Sequence, residues 1–188
     1  LLCGFFMAQT AENVAKKWEI SRQAQDEYAL RSHQLGAAAV KAGKFKAEIV
    51  PVTVKMGRKE VVVDSDDHIK PETTLEGLAK LKPFARNPGT VTAGNASGVN
   101  DGAAALILAS EEAVKRHGLT PRARVLGMAS AGVPPRIMGI GPVPATRKLM
   151  ERLKLKISDF SLIEINEAFA AQSLACLRQL GLPDDAEH

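Results

Sequence analysis

The chain has 188 residues, of which 45% are hydrophobic, 24% are charged and 4% are aromatic, a composition that fits a globular protein and excludes a disordered one. Its formal net charge of +4 comes from 25 basic and 21 acidic residues that alternate along the chain, so no basic tract with exposed aromatic residues indicates a nucleic-acid partner. No run of the sequence is near the roughly 20 apolar residues of a transmembrane helix, and there are only two cysteines, so we expect a cytoplasmic protein without a membrane partner.

The first elements in chain order are two predicted helices. A short helix is predicted over residues 11–18 with Thr10 as its N-cap, and a longer one over residues 22–42 with Ser21 as its N-cap and Gly43 at its end. An apolar stripe at helical spacing predicts the buried face of the longer helix, namely Ala24, Tyr28, Leu35 and Ala39. Its charged residues outside the stripe are expected to face solvent, namely Arg22, Asp26 and Lys41.

A hairpin and a third helix follow. Residues 48–54 and 60–63 are β-branched or alternating and flank a turn at residues 56–58, which predicts two antiparallel strands. A short helix is then predicted over residues 75–80. We therefore expect the chain up to residue 88 to form an α+β unit with much loop.

The rest of the chain alternates predicted strands with predicted helices. The predicted strands cover residues 103–109, 124–131 and 162–165, and the first is expected to be buried on both faces. The predicted helices cover residues 111–117, 144–153 and 168–180. Alternation of strands and helices indicates a layered α/β fold.

A glycine-rich segment leads into the predicted strand 103–109. Gly94, Gly98 and Gly102 recur every four residues among small and polar residues, and glycine lets a backbone approach a ligand closely. No Gly-Lys-Ser/Thr follows, so the segment is not a phosphate-binding Walker loop, and the glycines precede a strand instead of following one, which excludes a dinucleotide fingerprint. A tight packed turn beside a strand explains the same pattern without any ligand.

A second polar motif lies where the predicted strand 162–165 becomes a helix. Asn166 and Glu167 follow this strand directly, and the carboxyl ends of strands are where α/β folds place ligands. An asparagine here can donate to a developing oxyanion or hold a water that does so. Capping of the following helix by Asn166 is the alternative.

No metal site is predicted. Three aspartates lie close together in the loop after the hairpin, but the loop lacks the central glycine and closing glutamate of a calcium-binding loop; they are Asp64, Asp66 and Asp67. No Cys/His spacing indicates zinc. Cys176 falls on the apolar stripe of the last helix and is predicted to be a small buried hydrophobic residue.

The two motifs together resemble the thiolase family. The matching segments are 92–98 (Thr-Ala-Gly-Asn-Ala-Ser-Gly), 100–103 (Asn-Asp-Gly-Ala), 138–145 (Met-Gly-Ile-Gly-Pro-Val-Pro-Ala) and 166–169 (Asn-Glu-Ala-Phe). The resemblance implies that Asn166 is catalytic and positions an oxyanion-hole water. It also implies a set of residues that bind the pantetheine arm of CoA, namely Met7, Phe84, Ala93, Ser97, Gly98, Ala168 and Phe169. For Phe84 and Phe169, core packing is an equal alternative.

The resemblance also implies an architecture. Thiolases have a layered α/β/α/β/α fold of two similar halves with an inserted α+β loop domain, of which this chain holds an incomplete part. On this basis residues 1–88 are part of the loop domain, 89–119 complete the N-terminal half, and 120–188 open the C-terminal half. Homodimers or homotetramers are implied, with acyl-CoA and CoA as substrates and no separate cofactor.

The implied reaction is thiolytic cleavage of a 3-ketoacyl-CoA or the reverse Claisen condensation. It requires a cysteine nucleophile and acid/base residues, which thiolases place in a cysteine loop, a Gly-His-Pro segment and a Cys-x-Gly-Gly segment. None of these is recognisable here; Cys3 matches the cysteine loop over only three residues, and none of the four histidines fits. We therefore expect an internal portion of a longer enzyme that is inactive alone. A non-catalytic scaffold that binds CoA or a partner is the alternative.

Overall fold

The computed structural model describes residues 4–185. Its helices are α1 (Met7–Lys17), α2 (Arg22–Lys41), α3 (Leu75–Ala79), α4 (Glu111–His117), α5 (Pro142–Leu153) and α6 (Ala170–Leu180). Its strands are β1 (Val52–Met56) and β2 (Lys59–Val63), and two short 3₁₀-helices cover Pro135–Ile140 and Ile157–Asp159. No helix in residues 4–185 is long and apolar enough to cross a bilayer.

Helix α6 is the centre of the packed region. Residues 170–177 are all buried, because α1, α2, α5 and the 3₁₀-helix Pro135–Ile140 surround them. One core cluster consists of Val14, Ile137, Ile140, Val143, Ala175 and Cys176. A second cluster, towards α2, consists of Ala15, Ile20, Ala171 and Leu174. Burial of these side chains is the main source of stability in this region.

Local capping signals in the sequence set several helix boundaries. The Ser21 hydroxyl accepts a hydrogen bond from Ala24 N at 3.1 Å, so the predicted N-cap of α2 is confirmed. The Ser110 hydroxyl accepts a hydrogen bond from Ala113 N at 3.2 Å and caps α4 in the same way. Gly181 has a φ of 76° and ends α6, a left-handed conformation that favours glycine at this position.

Three helices begin at residues other than those predicted. Helix α1 begins at Met7, so Thr10 lies inside it and donates its hydroxyl to Met7 O at 2.6 Å instead of capping. Helix α5 begins at Pro142, two residues early. Helix α6 begins at Ala170, two residues late, because the preceding two residues pair with the glycine-rich segment.

The predicted buried face of α2 is confirmed in the N-terminal half of the helix, where Ala24 and Tyr28 pack against the second core cluster, and is wrong at Leu35. The buried residues are Gln25, Asp26 and Ala29, whereas Leu35 is 51% exposed. Asp26, which was predicted to face solvent, is buried because polar contacts hold the N-terminal half of α2 against the glycine-rich segment. Apolar periodicity does not reveal such contacts. The carboxylate of Asp26 receives hydrogen bonds from Arg22 and from the glycine-rich segment.

The predicted hairpin is confirmed. Strands β1 and β2 pair antiparallel with Val52 opposite Val63 and Met56 opposite Lys59. The strand β1 is shorter than predicted and begins at Val52. Nearly all of the hairpin is exposed, so it lies outside the packed core.

The three other predicted strands are not strands in the structure. Residues 103–109, 124–131 and 162–165 have no strand assignment, and Leu106 is 85% exposed and Ile107 is 89% exposed. A strand requires a hydrogen-bonded neighbour, and none lies beside these segments among residues 4–185. Segment 124–131 is nevertheless held on α5, because Arg152 donates to Met128 O at 2.9 Å and Lys148 donates to Ser130 O at 3.2 Å.

Candidate functional site

A cleft of about 1160 Å³ separates α2 from the two polar motifs. One wall is α2, the opposite wall is the glycine-rich segment 93–100, and the corner 164–167 closes one side. Five of the predicted site residues line this cleft, namely Phe84, Ala93, Ser97, Gly98 and Asn166. Segments separated by some seventy residues in the sequence therefore meet at one site, as a binding pocket requires.

Asn95 fixes the shape of the glycine-rich segment. Its side-chain oxygen accepts from Thr92 N at 2.8 Å, and its amide donates to Thr90 O at 3.0 Å and to the Asp26 carboxylate at 2.9 Å. Asp26 is in turn held by Arg22 Nε at 2.7 Å. Since Asn95 and Asp26 are both buried, these bonds attach the segment to α2 with little competition from water.

Glu12 holds the start of the same segment. This residue of α1 is 5% exposed, and one of its carboxylate oxygens accepts from Thr90 N at 2.7 Å and Val91 N at 2.8 Å. The other oxygen accepts from the Thr90 hydroxyl at 3.0 Å. Three donors thus satisfy a buried carboxylate. Sequence analysis missed Glu12, Asp26 and Asn95 because no local pattern shows which distant backbone groups a side chain will meet.

Two of the glycines are required by close packing. A Cβ atom on Gly94 would overlap the Leu78 and Leu81 side chains, and one on Gly98 would overlap the His68 ring. Gly94 therefore lies in a tightly packed turn, and it also lines the cleft. Gly98 both packs against His68 and lines the cleft.

Ala168 and Phe169 join the two motifs instead of lining the cleft. Ser97 N donates to Ala168 O at 3.0 Å, and Ala170 N donates to Asn95 O at 3.0 Å. Ala96 and Phe169 form an antiparallel bridge between these bonds. The backbone of the glycine-rich segment is therefore attached directly to the entry of α6.

Asn166 lies in the cleft and does not cap α6. The N-cap of α6 is Phe169, with extended backbone, so the capping alternative for Asn166 is wrong. Asn166 is exposed and lines the cleft. Within residues 4–185 no other residue hydrogen-bonds to its side chain. Its amide is therefore available to a ligand.

Glu167 is bound by two hydroxyl groups of α2. Tyr28 Oη donates to one carboxylate oxygen at 2.8 Å and Ser32 Oγ donates to the other at 2.6 Å. Burial, and then the hydrogen bond to Glu167, raise the pKa of the Tyr28 phenol. Tyr28 therefore remains a neutral donor at physiological pH.

Two histidines and a lysine also line the cleft, which sequence analysis did not predict. His33 Nδ1 accepts from Lys70 N at 3.2 Å, and His68 Nε2 lies 2.8 Å from Asn100 Nδ2. The Lys70 ammonium donates to Asp67 O at 2.8 Å. These residues come from α2 and the loop after the hairpin, so no sequence spacing connects them.

The remaining candidates lie elsewhere. Met7 is 60% exposed on α1 and is not among the residues that line the cleft. Cys176 is buried, as predicted, and burial raises the pKa of its thiol. Cys3 lies outside the described residues. Among residues 4–185, no cysteine lines the cleft and no group of three or more acidic, His or Cys residues could hold a metal ion.

Comparison with protein families identifies the fold family. The model of the thiolase N-terminal domain matches residues 2–112, and that of the thiolase C-terminal domain matches residues 119–186. The chain belongs to the thiolase family. The resemblance found in the two polar motifs is thereby confirmed.

Curated thiolases align over almost the whole chain. The β-ketoadipyl-CoA thiolase of Pseudomonas putida is 66% identical over 180 residues, which cover 96% of this chain and 45% of that protein. The 3-oxoadipyl-CoA/3-oxo-5,6-dehydrosuberyl-CoA thiolase of Escherichia coli (strain K12) is 59% identical over 97% of this chain and 46% of its own length. The chain thus spans slightly less than half the length of these relatives.

Solved thiolase structures superimpose closely. The Bacillus anthracis acetyl-CoA acetyltransferase has a TM-score of 0.89 and 53% identity, covering 95% of this chain and 45% of that chain. Human mitochondrial 3-ketoacyl-CoA thiolase in complex with CoA has a TM-score of 0.85 and 51% identity, covering 94% and 44%. The predicted fold class, an incomplete thiolase-like α/β fold, is confirmed.

Proposed function

We propose that the chain forms part of the CoA-binding wall of a thiolase-type acyltransferase. The observation that carries the proposal is the cleft in which the glycine-rich segment faces Asn166. In the proposed reaction a 3-ketoacyl-CoA is cleaved by CoA, or two acyl-CoA molecules condense in reverse.

The cleft has the chemistry that such a ligand needs. Pantetheine is a chain of amides, which suits the Ser97 hydroxyl, the backbone of segment 93–100 and the apolar ring of Phe84. The Lys70 ammonium at the cleft suits the phosphate groups of CoA. Asn166, with no hydrogen bond to its side chain from the described residues, can donate to a thioester oxyanion or to a water that does so, and such preorganised donors contribute strongly to acyl transfer.

We propose a dicarboxylic acyl substrate of the 3-oxoadipyl type. The names of the relatives support this choice. β-Ketoadipyl-CoA thiolases from three Pseudomonas species are 64–66% identical to the chain. We further propose a cytoplasmic homodimer or homotetramer, which light scattering coupled to size exclusion would test.

We expect the 188-residue chain to bind CoA without turnover. Among residues 4–185 the only thiol is Cys176, which is buried against Gly139 O at 3.4 Å and cannot reach a substrate in the cleft. The same observation favours the second candidate, a thiolase-like scaffold that binds CoA without chemistry.

Calorimetric titration with CoA tests the binding half of the proposal. Ala93→Trp fills the cleft and should abolish saturable binding, whereas the matched control Ala104→Trp, on an exposed extended segment, should leave it unchanged. Binding that survives Ala93→Trp, or no binding by the unmodified chain, would overturn the proposed CoA site.

Incubation with 3-oxoadipyl-CoA or acetoacetyl-CoA and free CoA tests the chemical half. No loss of the ketoacyl thioester is expected from the chain alone. A full-length thiolase that contains the chain should cleave 3-oxoadipyl-CoA faster than acetoacetyl-CoA. Turnover by the chain alone would contradict the expected inactivity, and the variants Cys3→Ala and Cys176→Ala would then identify the nucleophile.

A further inference from the structure

The Glu167 carboxylate is fixed on both of its oxygens. Tyr28 and Ser32 lie one turn apart on the same face of α2, and each donates to a different oxygen, at 2.8 and 2.6 Å. No cation lies within ion-pair distance of Glu167 in the described chain. Two neutral donors held by one helix therefore define the position of an otherwise exposed side chain.

Asn166 depends on its neighbours for its orientation. Its own side chain receives no hydrogen bond within residues 4–185, and it lies three residues before the N-cap of α6. On one side, Ile165 packs against the core cluster around Val14. On the other side, the first fixed group is the Glu167 carboxylate. The backbone of Asn166 is thus held on one side by the packing of Ile165 and on the other side by the hydrogen bonds to Glu167.

We propose that Tyr28 and Ser32 are positioning residues for Asn166: by binding Glu167 they hold the Asn166 amide towards the cleft. The consequence for chemistry rests on the proposed function, because an oxyanion donor is effective only when its geometry is fixed before reaction. Helix α2 can supply this geometry because its N-terminal half is itself attached through Asp26 to Asn95 and through Arg22 to Leu78 O.

The contacts after Glu167 do not substitute for this attachment. Ala168 O and Ala170 N are bound by the glycine-rich segment, so they fix the entry of α6. Loss of the two hydroxyls should therefore release Asn166 and Glu167 while residues from Ala168 onward remain ordered. A general structural role for Tyr28 and Ser32 predicts no such local pattern.

Backbone ¹⁵N relaxation of the 188-residue chain tests the proposal without CoA or turnover. In the double variant Tyr28→Phe/Ser32→Ala, we expect the order parameter at Asn166 to fall from about 0.85 to below about 0.6, with Ala170 unchanged. Ser32→Thr, which keeps a hydroxyl, should retain the wild-type value. Glu27→Gln, an exposed change beside Tyr28 on α2, is the matched control.

A second readout uses the single tyrosine of the chain. At neutral pH the ¹³Cζ NMR signal of its ring reports Tyr28 alone, and Glu167→Ala should shift this signal, because the Tyr28 hydroxyl donates to the Glu167 carboxylate. This measurement holds even if the double variant does not fold.

The outcomes are distinct. An unchanged order parameter at Asn166 in the folded double variant, or an unchanged tyrosine ¹³Cζ signal in Glu167→Ala, would overturn the proposal even if CoA binds. Release of Asn166 together with failure to bind CoA would leave the positioning inference standing and overturn the proposed function.

Discussion

Two regions of this chain contain equally apolar residues with opposite environments. Around α6, Leu174 is 1% exposed, whereas Leu106 in the extended segment 103–109 is 85% exposed. Helix α6 meets α1, α2 and α5 within the same 188 residues. Segment 103–109 has no hydrogen-bonded neighbour among residues 4–185.

This difference separates two properties of a segment: its apolar content, and the presence of a neighbour that buries it. Apolar content determines the free energy that a segment gains on burial, about 25 cal/mol per Å² of apolar surface removed from water. It does not show which part of a protein provides the cover. Three matched pairs of substitutions, each a packed residue and an exposed one of the same type, test this difference.

The largest effect is expected for Leu174→Ala. Removing a fully buried leucine side chain between α6, α1 and α2 should lower the free energy of unfolding by about 2.5 to 5 kcal/mol. Leu106→Ala, the matched change in the exposed segment, should alter it by less than about 0.5 kcal/mol. Urea unfolding followed by circular dichroism measures both. Equal losses would show that segment 103–109 is covered in solution.

The next effect is expected for Asn95→Ala. The change removes three hydrogen bonds and leaves Asp26, Thr90 O and the Thr92 N–H without this partner, which should cost about 2 to 3 kcal/mol. Asn100→Ala, five residues along and exposed, should change the free energy of unfolding by no more than about 0.5 kcal/mol. If the two variants unfold at the same urea concentration, Asn95 does not stabilise the cleft.

Gly94→Ala tests packing in the same segment. The added methyl group would overlap Leu78 and Leu81, and we expect a loss of about 1 to 3 kcal/mol from overpacking. Gly102→Ala has no atom within 4 Å of the new methyl group and should be neutral. Thermal unfolding of the two variants measures the difference. If Gly94→Ala leaves the stability unchanged, the close packing around Gly94 is refuted.

The smallest effect is expected at the end of α6. Asp184 accepts two hydrogen bonds from Arg178, at 2.8 and 2.6 Å, and this contact lowers the pKa of the carboxyl. Stability from this group is present above the ordinary aspartate pKa of 3.8 and is lost as the pH falls below it. Because both side chains are more than a third exposed, Asp184→Asn should cost only a few tenths of a kcal/mol at pH 7. The difference from wild type should vanish in unfolding experiments at pH 2.

The sequence predicted those parts of the fold that local interactions determine. The Ser21 cap and the hairpin turn act within a few residues, and the corresponding elements are found. The buried face of α2 and the three extended segments depend on distant contacts. Apolar spacing therefore assigned Asp26 to solvent, although it is buried.

The candidate site divides in the same way. The two motifs were recognisable because their residues are contiguous, and the cleft brings Ser97 and Asn166 together. Glu12, Tyr28 and Ser32 could not be found by spacing. Each lies on a helix, and its hydrogen-bond partner is distant in the sequence. The predicted roles of individual site residues, and the predicted domain boundaries, remain predictions.

The carboxylate of Glu12 has a consequence for the order of folding events. It binds Thr90 and Val91, which are 78 and 79 residues away along the chain, and Asn95 binds Asp26 across 69 residues. Helices form in about a microsecond, but contacts of such high sequence separation form only after a large loop closes, which slows a folding reaction. The cleft should therefore form late in refolding, after α1 and α2, and its closure should set the rate at which the native chain is reached.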